Sequence, residues 1–236
     1  MSTPHHHGHA AAPPPAQITP TVGMVRTLGL VSAICGLIIV GAYQSTYDAV
    51  AANKRIATER AVFKVIPAAK SIEEYAALPG GTVAKAGSGE TPAGAVKFFA
   101  AYDGGGKLAG IAAEGAAKGY ADTVRIMFGY ETACQCVVGI GVVAMRETPG
   151  IGDKIITDKE FLANFKALDA RLKADLSALA NEVKTVKHGT KTSAWQIDAI
   201  SGATITSRAV GRAINDTAQA LLPRLVPNLD KLAGKS

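Results

Sequence analysis

The fold is decided by a hairpin pattern in the middle of the chain, AVKFFAAYDGGGKLAGIAA at residues 95–113. Two apolar runs flank Asp103 and three consecutive glycines, which is the composition of a strand, a tight turn and a returning strand. Two more runs of strand-forming residues follow at 122–130 and 134–145. We therefore predict an α+β domain whose central sheet is mainly antiparallel.

Two helices are predicted after these strands. The run TDKE at 157–160 has the form of a capping box, and apolar residues follow it at spacings of three and four. This predicts an amphipathic helix over residues 158–184, which either packs on the sheet or presents a docking surface to another protein. A last helix is predicted over residues 207–222, closed by Pro223 and Pro227.

Upstream of the sheet lies a long apolar segment. Residues 27–47 contain no charged side chain, and LGLVSAICGLIIVGAY at 28–43 is almost wholly apolar. At about 1.5 Å per residue such a helix reaches roughly 30 Å, the thickness of a bilayer's hydrocarbon core. We predict a transmembrane helix over residues 24–47. A cleaved signal peptide is the alternative because Ala49 and Ala51 form an A-x-A pattern, although the run exceeds an h-region of about 7–15 residues.

The remaining segments are divided around this span. Residues 1–23 are predicted to be a disordered tail rich in His and Pro, with a metal-binding tract at His5, His6, His7 and His9 as the alternative. Residues 48–80 are predicted to form a connecting helix and linker. The folded domain is predicted over residues 81–228 and a C-terminal tail over 229–236.

Composition excludes several classes of protein. With 236 residues, 48% of them hydrophobic, the chain is not wholly disordered. Its net charge of +6 is spread along the chain with few aromatics, so no nucleic-acid partner is expected. The three cysteines are too few for a disulfide framework. Cys134 and Cys136 would share one face of a strand, either as buried thiols or as a redox-active pair. No metal site is expected, since His188 stands alone outside the tail.

The most informative segment is DAISGATITS at residues 198–207. Small residues around Thr204 leave its hydroxyl open to a bulky reagent. The helix that follows directs its free N–H groups and its positive dipole end toward the same place, which suits a phosphate. The alternative interpretation is an N-capped turn before a helix.

The SGAT run, with Asp198 before it and Thr-Ser after it, resembles the covalent flavin attachment motif of the bacterial FMN-binding domain family. The run ETPGIGDK at 147–154 resembles the E-T-P-G-[LI]-G-D-K signature of the same family, and Gly119-Tyr120 resembles its start of a central strand. The motifs occur in the family's order. With the N-terminal anchor, the resemblance extends over roughly residues 24–222.

The resemblance implies that FMN is bound as a phosphoester of the Thr204 hydroxyl. Glu147 and Thr148 would shape the flavin pocket, and Arg208 would neutralise the phosphate. No residue is implied to be catalytic or to bind a metal. The residues implied to bind the cofactor are Ser201, Gly202, Ala203, Thr204, Glu147, Thr148, Gly150, Ile151, Gly152 and Arg208.

Within the family, the E-T-P-G-x-G-D-K form and the short anchored layout most resemble the branch that supplies the G subunit of the Rnf complex. That membrane oxidoreductase links ferredoxin, NAD and an ion gradient. The near relative is the C subunit of the sodium-translocating NADH:quinone oxidoreductase. The resemblance implies an electron carrier whose partners are the membrane, the other Rnf subunits and, during maturation, a flavin transferase.

The resemblance also implies a single-pass protein of the bacterial inner membrane with its C-terminal domain on the periplasmic side. Only Arg26 precedes the span, whereas Lys54, Arg55 and Arg60 follow it, so the charge count points the other way. Long domains are translocated largely regardless of such charges, which makes the count weak evidence.

Other functions stay open at this point. The chain would be a membrane-anchored binding or assembly module without a redox role if both motifs were ordinary turns. It would alternatively be the flavoprotein subunit of a related NADH:quinone oxidoreductase. A flavin-dependent reductase acting alone is disfavoured because the sequence has no dinucleotide fingerprint.

The apolar segment generates the first prediction. We expect carbonate washing to leave the protein in the membrane pellet, because burying about twenty apolar residues outweighs the cost of the few polar ones. Immunoblots of pellet and supernatant measure this. Recovery of a soluble species that begins at Ala52 would show instead that the segment is a cleaved signal.

Overall fold

The computed structural model describes residues 21–86 and 92–233. Helix α1 runs without interruption from Thr21 to Val65. Among the described residues it is the one helix that is long and apolar enough to cross a membrane. Its apolar side chains are exposed, as Leu37 shows with 74% of its surface accessible. The chain divides into two compact units after Ala52.

Two predicted boundaries of the N-terminal segments differ from the structure. Residues 21–23, assigned to the tail, form the first turn of α1, and residues 1–20 with the His tract lie outside the described residues. The predicted connecting helix and linker at 48–80 ends as a helix at Val65, and Ser71–Ala77 is a strand of the sheet. The strand SIEEYAA was missed because its polar first half lacks the β-branched and aromatic residues that mark strands.

Seven strands form one sheet in the order β2-β1-β3-β4-β5-β6-β7, and every neighbouring pair is antiparallel. The four strands predicted from the sequence are confirmed as β3 to β6, and so is the mainly antiparallel sheet. The strands are Ser71–Ala77 (β1), Val83–Lys85 (β2), Val96–Tyr102 (β3), Leu108–Lys118 (β4), Thr123–Glu131 (β5), Cys136–Ala144 (β6) and Leu168–Asp169 (β7).

The turn between β3 and β4 is closed by Asp103. Its Oδ1 accepts hydrogen bonds from the backbone N–H groups of Gly105 (2.9 Å) and Lys107 (3.0 Å). Gly106 has φ = 77°, a conformation that glycine adopts without steric cost. The predicted strand, turn and returning strand are therefore confirmed with a local reason for the turn.

Both faces of the sheet are covered within the domain. Helix α3, Thr204–Leu225, packs against one face with Phe98, Ile126 and Phe128 in the main core. The other face packs on the end of α1. Alternation along β5 divides the strand between them, since Met127 belongs to the second cluster. That second cluster is formed by Val62, Val65, Ile66, Ala69, Ala101, Ala112 and Met127.

The predicted amphipathic helix at 158–184 is wrong. Helix α2 spans only Lys159–Ala163, and its N-cap is Asp158, whose carboxylate accepts the N–H of Phe161 at 2.8 Å. The chain then enters β7, which pairs with β6, and a loop leads to β8 (Lys184–Val186).

The apolar residues of that segment meet the core individually. Leu168, Leu179 and Val183 are buried as a strand residue and as loop anchors rather than as a helical stripe. The docking-face alternative fails with the helix, since the face that it needed does not form. Strand β8 instead pairs in parallel with β9, Gln196–Asp198.

The last helix is longer than predicted at both ends. It begins at Thr204 rather than Ser207, and Pro223 lies inside its last turn instead of closing it. A proline there removes only a terminal hydrogen bond. The predicted tail at 229–236 starts with helix α4, Leu229–Ala233, in which Leu232 is buried, and residues 234–236 are outside the described residues.

Cys134 and Cys136 form a disulfide, with their Cα atoms 5.2 Å apart. The expectation that both would be buried thiols on one strand face is wrong. Strand β6 begins only at Cys136, so Cys134 lies in the preceding turn and is exposed.

The close approach of α3 to the sheet generates a prediction. A Cβ atom added at Gly115 would lie 2.5 Å from the backbone oxygen of Ala213, whereas one at Gly141 would have no neighbour closer than 3.6 Å. We expect Gly115→Ala to destabilise the domain by about 1–3 kcal/mol because helix and strand must separate. Thermal unfolding of the detergent-solubilised chain measures this. Gly141→Ala is the matched control, and an equal loss of stability in both variants would contradict the packing argument.

Candidate functional site

A cavity of about 480 Å³ lies between the E-T-P-G loop and the first turn of α3. We call it the Thr204 cavity. It brings together two sequence motifs that are some fifty residues apart in the chain. The predicted site residues that line it are Glu147, Thr148, Ile151, Gly152, Gly202, Ala203 and Thr204.

Three predicted site residues lie elsewhere. Gly150 forms the turn of the E-T-P-G loop with φ = 76°. Ser201 lines a second cavity of about 420 Å³, together with His188 and Asp198. Arg208 lines a third, of about 410 Å³, which shares only Ile205 with the Thr204 cavity.

Thr204 is the first residue of α3, and its side chain is half-buried. The N-cap residue is Ala203, which has no side-chain oxygen to offer to the helix N–H groups. Gly202 precedes it with φ = 81°. The first N–H groups of a helix have no partner within the helix, so this end of α3 presents donors and a positive dipole end beside Thr204.

The neighbouring hydroxyls are engaged by the protein. Thr206 Oγ1 donates a hydrogen bond to Glu147 Oε2 at 2.8 Å. Ser207 Oγ donates to the Ala203 carbonyl at 3.0 Å and accepts from the Ile200 N–H at 3.1 Å. The expectation that both cap backbone N–H groups holds for Ser207 and is wrong for Thr206. Among the described residues, the Thr204 hydroxyl has no such partner.

Glu147 connects the two walls of the cavity to the sheet. Its Oε2 accepts from Thr206, and its Oε1 accepts from the backbone N–H groups of Ala121 (3.2 Å) and Asp122 (3.3 Å) in the β4–β5 turn. Glycines leave room for this carboxylate, because a Cβ at Gly152 would lie 2.7 Å from that of Glu147, and one at Gly119 would collide with Oε1. The sequence predicted Glu147 in the pocket but not its bond to Thr206.

Asn164 is a site residue that the sequence analysis missed. Its Oδ1 accepts from Asp198 N (3.0 Å) and Lys191 Nζ (2.9 Å), and its Nδ2 donates to the carbonyls of Phe161 (2.9 Å) and Asp198 (3.3 Å). It thus fixes the strand that leads into the SGAT loop. Burial lowers the pKa of Lys191, while the charge of Asp198 opposes that shift. No local signal marked Asn164, since it lay within the falsely predicted helix.

The rim of the Thr204 cavity is apolar and exposed. Tyr120 has 68% of its surface accessible, Ile151 50% and Ile205 47%. Large apolar side chains grouped around a cavity with a few polar groups are typical of a binding site for an organic ligand. In the described parts of the chain, no three His, Cys, Asp or Glu side chains are grouped as metal ligands would be.

Comparison with known proteins identifies the domain. Residues 119–219 match the model of the FMN-binding domain. This segment is an FMN-binding domain. It begins at Gly119, under the Glu147 carboxylate, and includes both motifs that line the Thr204 cavity.

Curated relatives of the whole chain bear one recurrent name. The chain is 28% identical over 211 residues to the G subunit of the ion-translocating oxidoreductase complex of Haemophilus influenzae, covering 87% of this chain and 90% of the relative. The protein of that name from Methanosarcina acetivorans is 26% identical, with 81% and 89% covered. The G subunit of the Na(+)-translocating ferredoxin:NAD(+) oxidoreductase complex of Acetobacterium woodii is 26% identical, with 71% of each chain covered. The resemblance to the FMN-binding family and its G-subunit branch is confirmed.

Two solved structures share the fold of the FMN-binding domain protein. Shewanella oneidensis NqrC superposes with a TM-score of 0.57 and 22% identity, covering 77% of this chain and 98% of that one. The C subunit of the Na(+)-translocating NADH-quinone reductase from Parabacteroides distasonis superposes with a TM-score of 0.58 and 16% identity, covering 73% and 94%. The predicted fold class is confirmed by these likenesses.

The Glu147–Thr206 hydrogen bond generates a prediction. We expect Thr206→Val, which preserves shape, to destabilise the FMN-binding domain by about 1–3 kcal/mol, because it removes a donor from a half-buried carboxylate oxygen. Chemical denaturation measures the change. Thr123→Val, at an exposed threonine, is the control and should be nearly neutral. A neutral Thr206→Val would show that Glu147 does not depend on this bond.

Proposed function

We propose that this protein is the membrane-anchored, FMN-carrying electron-transfer component of an ion-translocating oxidoreductase complex of the Rnf type. The observation that carries the proposal is the Thr204 cavity, where the E-T-P-G loop and the start of α3 meet inside an FMN-binding domain. The curated names of the relatives, which are subunits of ion-translocating complexes, support the larger assembly.

The proposed attachment is a phosphoester between FMN and Thr204 Oγ1. Three features of the site fit a phosphate there. The Thr204 hydroxyl is not engaged by the described protein groups, unlike those of Thr206 and Ser207. The α3 N-terminus presents N–H donors, and no side-chain cap competes for them. Ala203 and Gly202 are small, which leaves the hydroxyl accessible from the cavity.

The proposed place of the flavin ring is the apolar part of the same cavity. A volume of about 480 Å³ is within the range of about 300–1,000 Å³ that small-molecule sites occupy. Tyr120, Ile151 and Ile205 offer exposed apolar surface around it, and Thr148 supplies a polar group in the loop. Glu147 holds this loop against α3 through Thr206, so the two walls keep a fixed separation.

Bound FMN would supply the electron-accepting and electron-donating chemistry, and the protein would supply attachment, orientation and local polarity. Arg208, one helical turn after Thr204, adds positive charge beside the attachment site, although it lines the neighbouring cavity. A covalent bond retains the cofactor without occupying the ring. The chain therefore acts as an electron carrier and not as an enzyme by itself.

The proposed partners are the other membrane proteins of the complex and, during maturation, a flavin transferase. Helix α1 is the proposed single membrane anchor, with the FMN-binding domain on the extracytoplasmic side of a bacterial inner membrane. The fold also supports a second assignment, the flavoprotein of an NADH:quinone oxidoreductase, because both structural neighbours are subunits of that kind. A binding or assembly module without FMN is the remaining alternative.

The attachment generates the prediction that separates these possibilities. We expect Thr204→Ala to abolish covalent flavin, because alanine has no hydroxyl to form the phosphoester. Thermal stability should change little, since the hydroxyl has no partner among the described residues. In-gel flavin fluorescence after denaturation measures attachment, and mass spectrometry should place the FMN mass within the tryptic fragment Thr192–Arg208 of the unmodified sequence.

Thr204→Ser is the matched control and should keep covalent flavin, because it restores a hydroxyl at the same backbone position. Covalent flavin in Thr204→Ala, or an FMN mass assigned to Thr206 by fragmentation, would refute the assignment. A natively produced chain without any covalent flavin would favour the assembly module.

A further inference from the structure

The turn between β5 and β6 carries a chemical group that the FMN site does not use. Residues 132–135 connect the two strands, and the disulfide joins Cys134 in this turn to Cys136 at the start of β6. A cross-link between residues two apart closes a very short loop, so it removes little conformational entropy from the unfolded chain. Its stabilising contribution is correspondingly small, and another role is open to it.

The residue enclosed by the disulfide has an unfavourable backbone conformation. Gln135 has φ = 51°, and Leu176 is the only other described non-glycine residue with positive φ. The left-handed region costs a non-glycine residue roughly 1–2 kcal/mol. Opening the disulfide would release Gln135 from this conformation, which favours the reduced state.

The two sulfur-bearing residues differ in access. Cys134 is exposed, whereas Cys136 has only 5% of its surface accessible. Attack by a thiolate therefore has one accessible target, the Sγ atom of Cys134. Exposed or strained disulfides are the labile and regulatory ones, while structural disulfides resist reduction.

The turn is connected to the edge of the sheet. The carbonyl of Gln135 accepts a hydrogen bond from the N–H of Ala170 at 3.1 Å, and Cys136 is the register partner of Asp169 in β7. Strand β7 has two residues, so these contacts are a large part of what holds it to β6. A change in the conformation of Gln135 is thus transmitted directly to β7.

We propose that Cys134–Cys136 is a thiol–disulfide exchange site, reduced by a dithiol protein of the thioredoxin type, and that its reduction loosens β7 from the sheet. The first donor thiolate attacks Cys134 Sγ, the Sγ–Sγ bond breaks, and Cys136 leaves as a thiolate that takes up a proton. The second donor thiolate then attacks the donor sulfur of the mixed disulfide, and Cys134 leaves and is protonated. The donor loses two electrons as its own disulfide forms, and Cys134 and Cys136 gain them.

The reaction is tested on the full-length chain in detergent, with a thioredoxin-type protein as the dithiol and iodoacetamide as the thiol label. Both cysteines lie in the tryptic fragment Ile126–Arg146, whereas Cys35 lies in Thr27–Lys54 and reports labelling independently of reduction. We expect two labels on Ile126–Arg146 after stoichiometric dithiol and none before. A fragment that is already labelled without dithiol, or that requires denaturation to be reduced, would overturn the proposal.

The order of attack is tested with a donor that lacks its second cysteine, so that the mixed disulfide accumulates. Mass mapping should place the donor on Cys134. A donor linked to Cys136 instead would contradict the assignment of the accessible sulfur.

The role of the strained residue is tested with Gln135→Gly, with Ala133→Gly in the same turn as the matched control. Glycine has no penalty at positive φ, so the oxidised form should gain stability relative to the reduced form. We expect the equilibrium constant for reduction in a glutathione buffer to fall about five-fold in Gln135→Gly. It should not change in Ala133→Gly, and equal constants in all three chains would overturn the strain argument.

The structural consequence is measured by hydrogen exchange. The amide of Ala170 should exchange faster in the reduced chain than in the oxidised chain, while amides in the centre of β4 should exchange equally in both. Unchanged protection at Ala170 would show that the disulfide state does not reach β7.

Discussion

The carboxylate of Glu147 holds the site together, because it is the point at which three separate segments of the chain are joined. One oxygen binds the β4–β5 turn at two backbone N–H groups, and the other binds Thr206 in the first turn of α3. The E-T-P-G loop follows Glu147 directly, so its position relative to α3 is determined at the same residue. Gly119 and Gly152 lack side chains where this carboxylate lies. The Thr204 cavity is the space that this arrangement leaves between loop and helix.

The sheet provides the rigid base for that arrangement. Helix α3 approaches β4 so closely at Gly115 that no Cβ atom fits beneath Ala213, and Arg212 donates a hydrogen bond to the carbonyl of Lys118 at the end of the same strand. The start of α3 is also held through Ser207 and Ile200. A threonine at the first position of such a helix has little freedom to move. This is the condition that a covalent attachment site for a redox cofactor requires, since the cofactor must stay in one place while electrons pass.

A second consequence of the fold concerns the opposite end of the sheet. Strand β7 is short and lies at the edge, where one hydrogen bond to Gln135 and the pairing with Cys136 secure it. The sequence between Asp158 and Val183 carries apolar residues at helical spacings, yet it forms a short helix, an edge strand and a loop. Pairing with β6 and individual burial of Leu168 and Leu179 satisfy these apolar residues better than a single helix stripe does. Spacing alone cannot distinguish the two outcomes, because both bury the same side chains.

The sequence by itself determined the apolar helix, the four central strands, the Asp103 turn, the last helix and the two motifs of the FMN-binding domain. Each of these depends on residues that are near one another in the chain, such as an uninterrupted apolar run or a Gly-rich turn between strand-forming segments. Only the tertiary structure decided that SIEEYAA is a strand, that Cys134 and Cys136 form a disulfide in a turn, and that Glu147 binds Thr206. It also decided the role of Asn164. These features depend on partners far apart in the chain, and the hydrogen bonds that define them have no counterpart in local composition or spacing.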